Sequence, residues 1–159
     1  MRRSNLALAL ATLALGAVRA DDAEGLKPAD LVGGYTIESG EKYGVKEPEE
    51  RIKGTTVRFT EDAIVVVDKD KKELYAQTYT LGATKAGKTA IALRTKIAPV
   101  ENEVAHGLIE KKGDTIRLIY ALPGGERPTE FKTRDKQLMF EMKNERKLRK
   151  ESRPAPRPG

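Results

Sequence analysis

The sequence contains one motif that is typical of phosphate-binding enzymes. The stretch "GATKAGKT", residues 82–89, fits the pattern Gly, any four residues, Gly, Lys and then Ser or Thr. Such a loop binds phosphate only between a strand and the N-terminus of a helix, where free amides and the helix dipole meet the anion. The residues that follow, "AIALRTKIAP", alternate apolar and polar side chains and therefore predict a second strand. We interpret residues 82–88 as a hairpin loop rather than a nucleotide site.

Acidic residues and a histidine give three further candidates for site chemistry. Asp68 ends the apolar run "IVVVD" like a magnesium-binding Asp, but it precedes the phosphate-loop motif instead of following it. Asp68, Asp70 and Glu73 have the alternate spacing of a calcium loop, yet lysines lie among them and the turning Gly is missing. A solvated hairpin tip is therefore favoured over a calcium site.

Histidine and cysteine usage limits metal and nucleophile chemistry. His106 is the only histidine and the chain has no Cys, which excludes His-based metal clusters, thiolate zinc sites and Cys nucleophiles. No G-x-S-x-G motif marks a serine nucleophile, so His106 is interpreted as an ordinary strand residue. These residues predict a protein that is not an enzyme and that has no cofactor and no metal.

The first twenty residues, "MRRSNLALALATLALGAVRA", differ in composition from the rest of the chain. Two arginines precede an apolar run, and small residues stand at Val18 and Ala20, which is the pattern of a secretory signal peptide over residues 1–20, cleaved before Asp21. The apolar run is roughly half as long as a bilayer core requires. The sequence therefore predicts an exported protein, periplasmic or extracellular, that does not span the membrane.

The positive charge of the chain lies mainly at its two ends. The formal net charge is +6, but the excess of basic residues falls in residues 1–20 and 143–159, which leaves residues 21–142 close to neutral. No basic face for nucleic acid follows from that distribution. Residues 143–159 are basic and Pro-rich with Leu148 as the single large apolar side chain, which predicts a disordered tail. The tail could contact an anionic envelope surface, or it could simply be a solvated end.

Residues 21–142 read as one domain built from short strands. Segments rich in β-branched and aromatic residues are separated by polar loops, which favours antiparallel hairpins, and "KPADLVG" near the start predicts one turn of helix. The predicted strands are residues 34–39, 55–60, 63–69, 73–81, 89–95, 104–112, 115–121 and 137–143. Eight antiparallel strands with one apolar face close most economically into a barrel without free edges. A two-sheet β-sandwich is the alternative.

Alternation along the strands predicts which side chains point inward. The predicted interior consists of Tyr35, Ile37, Val57, Phe59, Tyr75, Tyr79, Ile91, Leu93, Ile116, Leu118, Tyr120, Leu138, Phe140 and Met142. The loop "LPGGERPTEF", residues 122–131, is expected to turn at its glycines and to return to the core at Phe131. Within that loop, the spacing of Arg127 and Glu130 predicts an ion pair, with an exposed ligand-binding arginine as the alternative.

Five stretches carry motifs that together resemble a known family. They are "LVGGYTIESGEKYG", "TVRFTEDAIVV", "YTLGATKAGKTAIAL", "AHGLIEKKGDTIRLIYALPGGERPTEF" and "LMFEMKNER", and the most specific elements are Gly107, the "GDTIRL" hairpin and "RPTEF". Over nearly all of residues 30–146 the chain resembles an exported lipocalin-like domain family of planctomycetes that has no assigned activity. The resemblance implies a lipocalin-like barrel and no catalytic residue. The chain departs from the family where Tyr35, instead of the common Trp, follows Gly34.

Two classes of function remain open at this point. The first is an exported binding module whose barrel holds a small apolar molecule or an envelope component. Its candidate ligand-binding residues are the barrel-lining side chains Tyr35, Phe59, Tyr79, Leu118, Tyr120 and Phe140. The second is a structural or interaction protein with a solid core, whose loops or basic tail contact an envelope partner.

Overall fold

A computed structural model describes residues 25–96 and 103–146 of the chain. The predicted signal peptide, its cleavage site and residues 147–159 of the predicted tail lie outside the described residues. The first four residues of the predicted tail are described, and the last strand includes Lys143 and Asn144.

The described residues form nine strands and two single-turn helices. In chain order these are α1 (Pro28–Leu31), β1 (Gly33–Lys42), β2 (Val45–Lys46), α2 (Glu49–Ile52), β3 (Thr56–Phe59), β4 (Ala63–Val67), β5 (Glu73–Lys85), β6 (Lys88–Thr95), β7 (Val104–Lys112), β8 (Thr115–Ala121) and β9 (Gln137–Asn144). All eight predicted strands and the predicted helical turn at α1 are confirmed. The two short elements β2 and α2 were not predicted.

Eight of the strands close into an antiparallel barrel. Each strand from β3 to β8 pairs with the next along the chain, β1 pairs with β3, and β9 pairs back with β1 from Tyr35 opposite Asn144 to Lys42 opposite Leu138. The two-residue strand β2 pairs only with the end of β1. Closure gives every barrel strand two partners, so the lipocalin-like barrel predicted from the sequence is present and the alternative sandwich is not.

The phosphate-loop motif forms a hairpin, as the sequence predicts. β5 and β6 are joined by Ala86 and Gly87, whose positive φ angles of 51° and 75° suit a two-residue hairpin turn. Lys88 begins β6, and the hydroxyls of Thr84 and Thr89 lie 2.7 Å apart across the two strands. The connection is shorter than the predicted loop over residues 82–88, because Gly82 and its neighbours continue β5.

The acidic stretch after β4 is also a hairpin turn. The side chain of Asp68 accepts hydrogen bonds from the backbone amides of Asp70 and Lys72, at 2.8 and 2.9 Å. These bonds satisfy amides that the turn leaves without strand partners, which is a common role for Asp in turns. The prediction of a solvated hairpin tip is therefore confirmed.

Aromatic side chains fill one end of the barrel, which we call the closed end. Leu31 of α1 is fully buried there, and the hydroxyl of Tyr35 donates to its carbonyl at 2.9 Å. The ring of Tyr35 meets that of Phe59 edge to face at 5.5 Å, and Phe59 meets Tyr79 in the same way at 6.0 Å. The Tyr79 hydroxyl donates to the carbonyl of Thr60 at 2.7 Å, so the polar tips of both tyrosines are satisfied.

The loop between β8 and β9 folds over the outer face of the barrel, which corrects the prediction for Phe131. Its ring packs face-on against the guanidinium of Arg117, 4.7 Å from ring centre to Cζ, and Arg117 alternates with inward-facing residues of β8 and therefore points outward. Arg117 also pairs with the buried carboxylate of Glu110, with 2.5 Å between its Nε and Oε1 of the acid. Phe131 thus covers a buried ion pair outside the barrel instead of entering the core.

Two hydrogen bonds at Thr133 hold the second half of this loop against the end of β1. The backbone amide of Thr133 donates to the carboxylate of Glu41 at 2.9 Å, and the amide of Gly44 donates to the Thr133 hydroxyl at 2.8 Å. The predicted ion pair of Arg127 and Glu130 is wrong, because Glu130 contacts Arg134 at 3.3 Å instead.

Candidate ligand-binding cavity

The interior of the barrel is hollow at the end opposite the aromatic cluster. A cavity of about 340 Å³ lies between α2 and the inner faces of β1, β3, β4, β5, β8 and β9. We call this the open end. The open end contains the connection between β4 and β5 and the start of the loop between β8 and β9. The helix α1 and the turn between β7 and β8 lie at the closed end.

The wall of the cavity is mainly apolar, and its side chains come from the inward-facing positions of the strands. Ile37, Val57, Ile64, Leu118 and Met142 are buried side chains that line it, and each occupies an inward position of its strand. Half-buried apolar side chains on β4, β8 and β9 and in the loop after β8 complete the wall toward the mouth: Val66, Leu122, Leu138 and Phe140. These residues are of medium size except for one Phe, and they do not reach across the barrel.

The short helix α2 borders the mouth of the cavity. Pro48 precedes it, and Glu49 and Glu50 lie in its first turn, where negative charge interacts favourably with backbone amides. Its last residue, Ile52, is buried against the cavity, whereas Arg51 reaches the rim and pairs with Glu47 at 3.6 Å. This helix was not predicted from the sequence, although Pro followed by two acids is a helix-start signal.

Four polar residues interrupt the apolar wall away from the rim. Thr55, Tyr75, Gln77 and Tyr120 all line the cavity. The Thr95 hydroxyl donates to the Tyr75 hydroxyl at 2.9 Å, which ties the position of that ring to β6. Gln77 and Thr95 are direct partners across the β5–β6 pair, so these polar groups share one side of the barrel.

Tyr120 lies in an environment that keeps it protonated. Burial raises the pKa of Tyr120 well above that of a free tyrosine, and the nearby Tyr75 raises it further. The same effect of burial raises the pKa of Tyr79 to about 12 at the closed end, with Asp62 and Glu61 as smaller contributors. At neutral pH the Tyr120 hydroxyl is thus an uncharged donor and acceptor of hydrogen bonds.

The six candidate residues from the sequence divide between the two ends. Leu118, Tyr120 and Phe140 line the cavity, on β8 and β9. Tyr35, Phe59 and Tyr79 lie at the closed end, where they pack against one another. Ile52, Gln77 and most of the remaining wall were not among the ligand-binding residues predicted from the sequence.

A second, shallower depression lies on the outer surface. It has a volume of about 230 Å³ and is bordered by His106, Gly107 and the side chain of Arg127. His106 is an exposed residue of β7, as its interpretation as a strand residue requires. Within residues 25–96 and 103–146 there is no cluster of three His, Cys, Asp or Glu side chains that could hold a metal ion. The helices in the same residues are too short to cross a bilayer.

Comparisons with models of protein families, with curated proteins and with solved structures found no match to this chain.

Proposed function

We propose that this chain is an exported, non-enzymatic binding module that holds one small apolar ligand in the open-end cavity. The observation that carries the proposal is the cavity itself: about 340 Å³ of space with a mainly apolar wall, inside a barrel whose other end is filled. Small-molecule pockets typically measure roughly 300–1,000 Å³ and combine apolar walls with a few polar groups. The cavity lies at the lower end of that range, which favours a compact ligand over a lipid with two long chains.

The difference in packing between the two ends of the barrel supports a binding function over a purely structural one. A domain of this size gains most of its stability from core packing, and interiors usually leave few voids larger than a water molecule. The closed end follows that rule through three interlocking aromatic rings. The open end departs from it, and unfilled apolar space has a cost in stability that a bound ligand offsets.

Export and family membership belong to the proposal as well. The signal-peptide pattern of residues 1–20 supports a site that works in the periplasm or outside the cell. The resemblance to the exported lipocalin-like family of planctomycetes supports the same location. The alternative from the sequence, a solid-core interaction protein that uses its loops or basic tail, accounts less well for the cavity.

A titration with a neutral fluorescent probe tests the proposal. The probe is 1-N-phenylnaphthylamine, whose emission rises on transfer from water to an apolar site. Leu138→Trp should fill the cavity mouth, whereas Met139→Trp places the same ring on the outer face of β9, because successive strand residues point to opposite sides. We expect one saturable site in the parent, affinity about tenfold weaker in Leu138→Trp, and a change of less than about twofold in Met139→Trp.

Two results would contradict binding in the cavity. One is the absence of a saturable probe signal in the parent protein, together with the absence of a co-purifying mass in native mass spectrometry of protein from its own host. The other is an equal effect of both tryptophan substitutions, which would place the probe elsewhere on the molecule. Thermal melts of the two variants show whether either change disturbs the barrel.

A further inference from the structure

Two buried polar side chains of the cavity wall have no hydrogen-bond partner in the described part of the chain. Gln77 and Tyr120 are only 4% and 9% exposed, and both line the cavity. Hydrogen bonds of the Gln77 amide or of the Tyr120 hydroxyl are not found in residues 25–96 and 103–146, whereas every side-chain polar atom sealed inside that part has a partner. The polar atoms of these two residues therefore open onto the cavity.

Tyr75 adds a third polar group to the same wall. Its hydroxyl oxygen accepts the hydrogen bond from Thr95, so its own proton remains available to donate. A hydroxyl that accepts one hydrogen bond becomes a better donor for the next. Tyr75 is also near enough to Tyr120 to raise its pKa electrostatically. We call Tyr75, Gln77 and Tyr120 the polar wall.

The charges around the cavity indicate that the ligand's polar group is neutral. The only Lys, Arg, Asp or Glu among the described residues of the lining is Arg51, whose side chain is 73% exposed at the rim and is paired with Glu47. A carboxylate carried to the polar wall would lose its water without meeting a cation, which is a large penalty. A neutral hydroxyl or carbonyl loses much less and gains hydrogen bonds from the wall.

We infer that the cavity takes a compact apolar molecule with one neutral hydrogen-bonding group, an alcohol, ketone or ester, that contacts the polar wall. This inference rests on the proposed binding function and adds the chemistry of the ligand. A ligand without such a group would leave the amide and hydroxyls of the wall unpaired after it displaced water. Both shape and polarity therefore contribute to selection.

Three naphthalene compounds of nearly equal size test the inference at pH 7. They are naphthalene, which has no polar group, 2-naphthol, which is neutral and polar, and 2-naphthoate, which is an anion. An engineered apolar cavity of about 150 Å³ already accepts benzene, so two fused rings suit a cavity of this volume. We expect 2-naphthol to bind about threefold to tenfold more tightly than naphthalene, and 2-naphthoate to bind most weakly.

Single substitutions test whether the polar wall causes the preference for 2-naphthol. Tyr120→Phe removes one hydroxyl and keeps the ring. The logarithm of the affinity ratio between 2-naphthol and naphthalene should therefore fall by at least half, while the affinity for naphthalene itself changes by less than about twofold. Gln77→Met should act in the same direction with a different side chain. Tyr43→Phe is the matched control, because Tyr43 is an exposed tyrosine outside the cavity lining.

The possible outcomes separate this inference from the proposed function. Equal affinity for naphthalene and 2-naphthol, unchanged by Tyr120→Phe, would overturn the polar-wall inference and leave the binding function intact. Tightest binding of 2-naphthoate, lost in Arg51→Gln, would overturn it in favour of an anion held at the rim. Failure of all three compounds and of the fluorescent probe to bind would overturn both. A preference for 2-naphthol that disappears in Tyr120→Phe or Gln77→Met, but not in Tyr43→Phe, supports it.

Discussion

The two ends of the barrel are built from the same strands and the same alternation, yet one is filled and the other is hollow. At the closed end, aromatic rings contact each other edge to face and their hydroxyls donate to backbone carbonyls. At the open end, medium-sized side chains surround about 340 Å³ of space, and the polar groups of Gln77 and Tyr120 have no hydrogen-bond partner within residues 25–96 and 103–146. Side-chain bulk, more than strand geometry, therefore decides which end of the barrel is filled and which end stays hollow.

The largest expected effect contrasts one phenylalanine from each end. Phe59→Ala should lower the free energy of unfolding by about 3–5 kcal/mol, because it removes the ring at the centre of the aromatic cluster. Phe140→Ala should cost only about 1–2 kcal/mol, since that ring is half-buried beside existing space. Urea unfolding of both variants measures the difference. Equal losses would mean that both ends stabilise the barrel to the same degree.

Alkaline pH should weaken the barrel through its buried tyrosines. Burial raises the pKa of Tyr79 to about 12 and also raises that of Tyr35, while the unfolded chain releases these protons near pH 10. Between these values the folded state holds more protons, so the free energy of unfolding falls as pH rises, by at most about 1.4 kcal/mol per pH unit for each tyrosine. Below pH 10 this contribution is fully present. Burial also raises the pKa of Tyr120, so Tyr79→Phe should reduce the slope without abolishing it. Urea unfolding at pH 8, 10 and 11 measures the slope, and an unchanged slope in Tyr79→Phe would show that other groups dominate.

Removing one hydroxyl from each end should have unequal effects on stability. Tyr35→Phe loses the bond to the Leu31 carbonyl and should cost about 1 kcal/mol. Tyr120→Phe removes a hydroxyl without a partner in the described residues, so stability should change by less than about 0.5 kcal/mol or rise slightly. Thermal melts without added ligand compare the two variants. A larger loss in Tyr120→Phe would indicate that its hydroxyl contributes to stability in the free protein.

The smallest expected effect concerns the hairpin beyond the closed end. Lys88→Ala should change the free energy of unfolding by less than about 0.5 kcal/mol, because Lys88 begins a strand beside a two-residue turn. The parent protein should not bind Mg-ATP, since the motif leads into β6 and not into a helix. Calorimetric titration measures the binding. Saturable binding that Lys88→Ala removes would contradict the hairpin interpretation of this motif.

The strands could be predicted because turn residues separate regular alternation. The predicted bounds of β7 and β8 agree residue for residue with the structure. Prediction was weaker where alternation is lost, as in "AIVVV", whose Ile64 and Val66 face inward only because β3 and β5 pair with them in that register. Ile109 was missed for a similar reason, since apolar Leu108 lies next to it on the opposite face.

The location of the cavity could not be predicted in the same way. Alternation indicates that Tyr35 and Tyr120 both face inward, but it does not show which of them meets a partner across the barrel. That depends on distances between strands that are far apart in the chain. The outward position of Phe131 could not be predicted for the same reason. The "RPTEF" segment has the pattern of a return to the core, and only the tertiary structure brings Arg117 of β8 against the Phe131 ring. The burial of Gln77 could not be predicted either, because Gln is usually an exposed residue.

The pairing of β1 with β9 also determines how the barrel is oriented when the protein is attached through the chain on either side of it. Tyr35 lies opposite Asn144 in that pair, so the chain enters the barrel and leaves it side by side at the closed end. A segment joined directly before Gly25 or after Arg146 would therefore begin at the closed end, on the far side from the cavity mouth. Because both points of attachment lie at that end, neither would stand across the open mouth of the barrel.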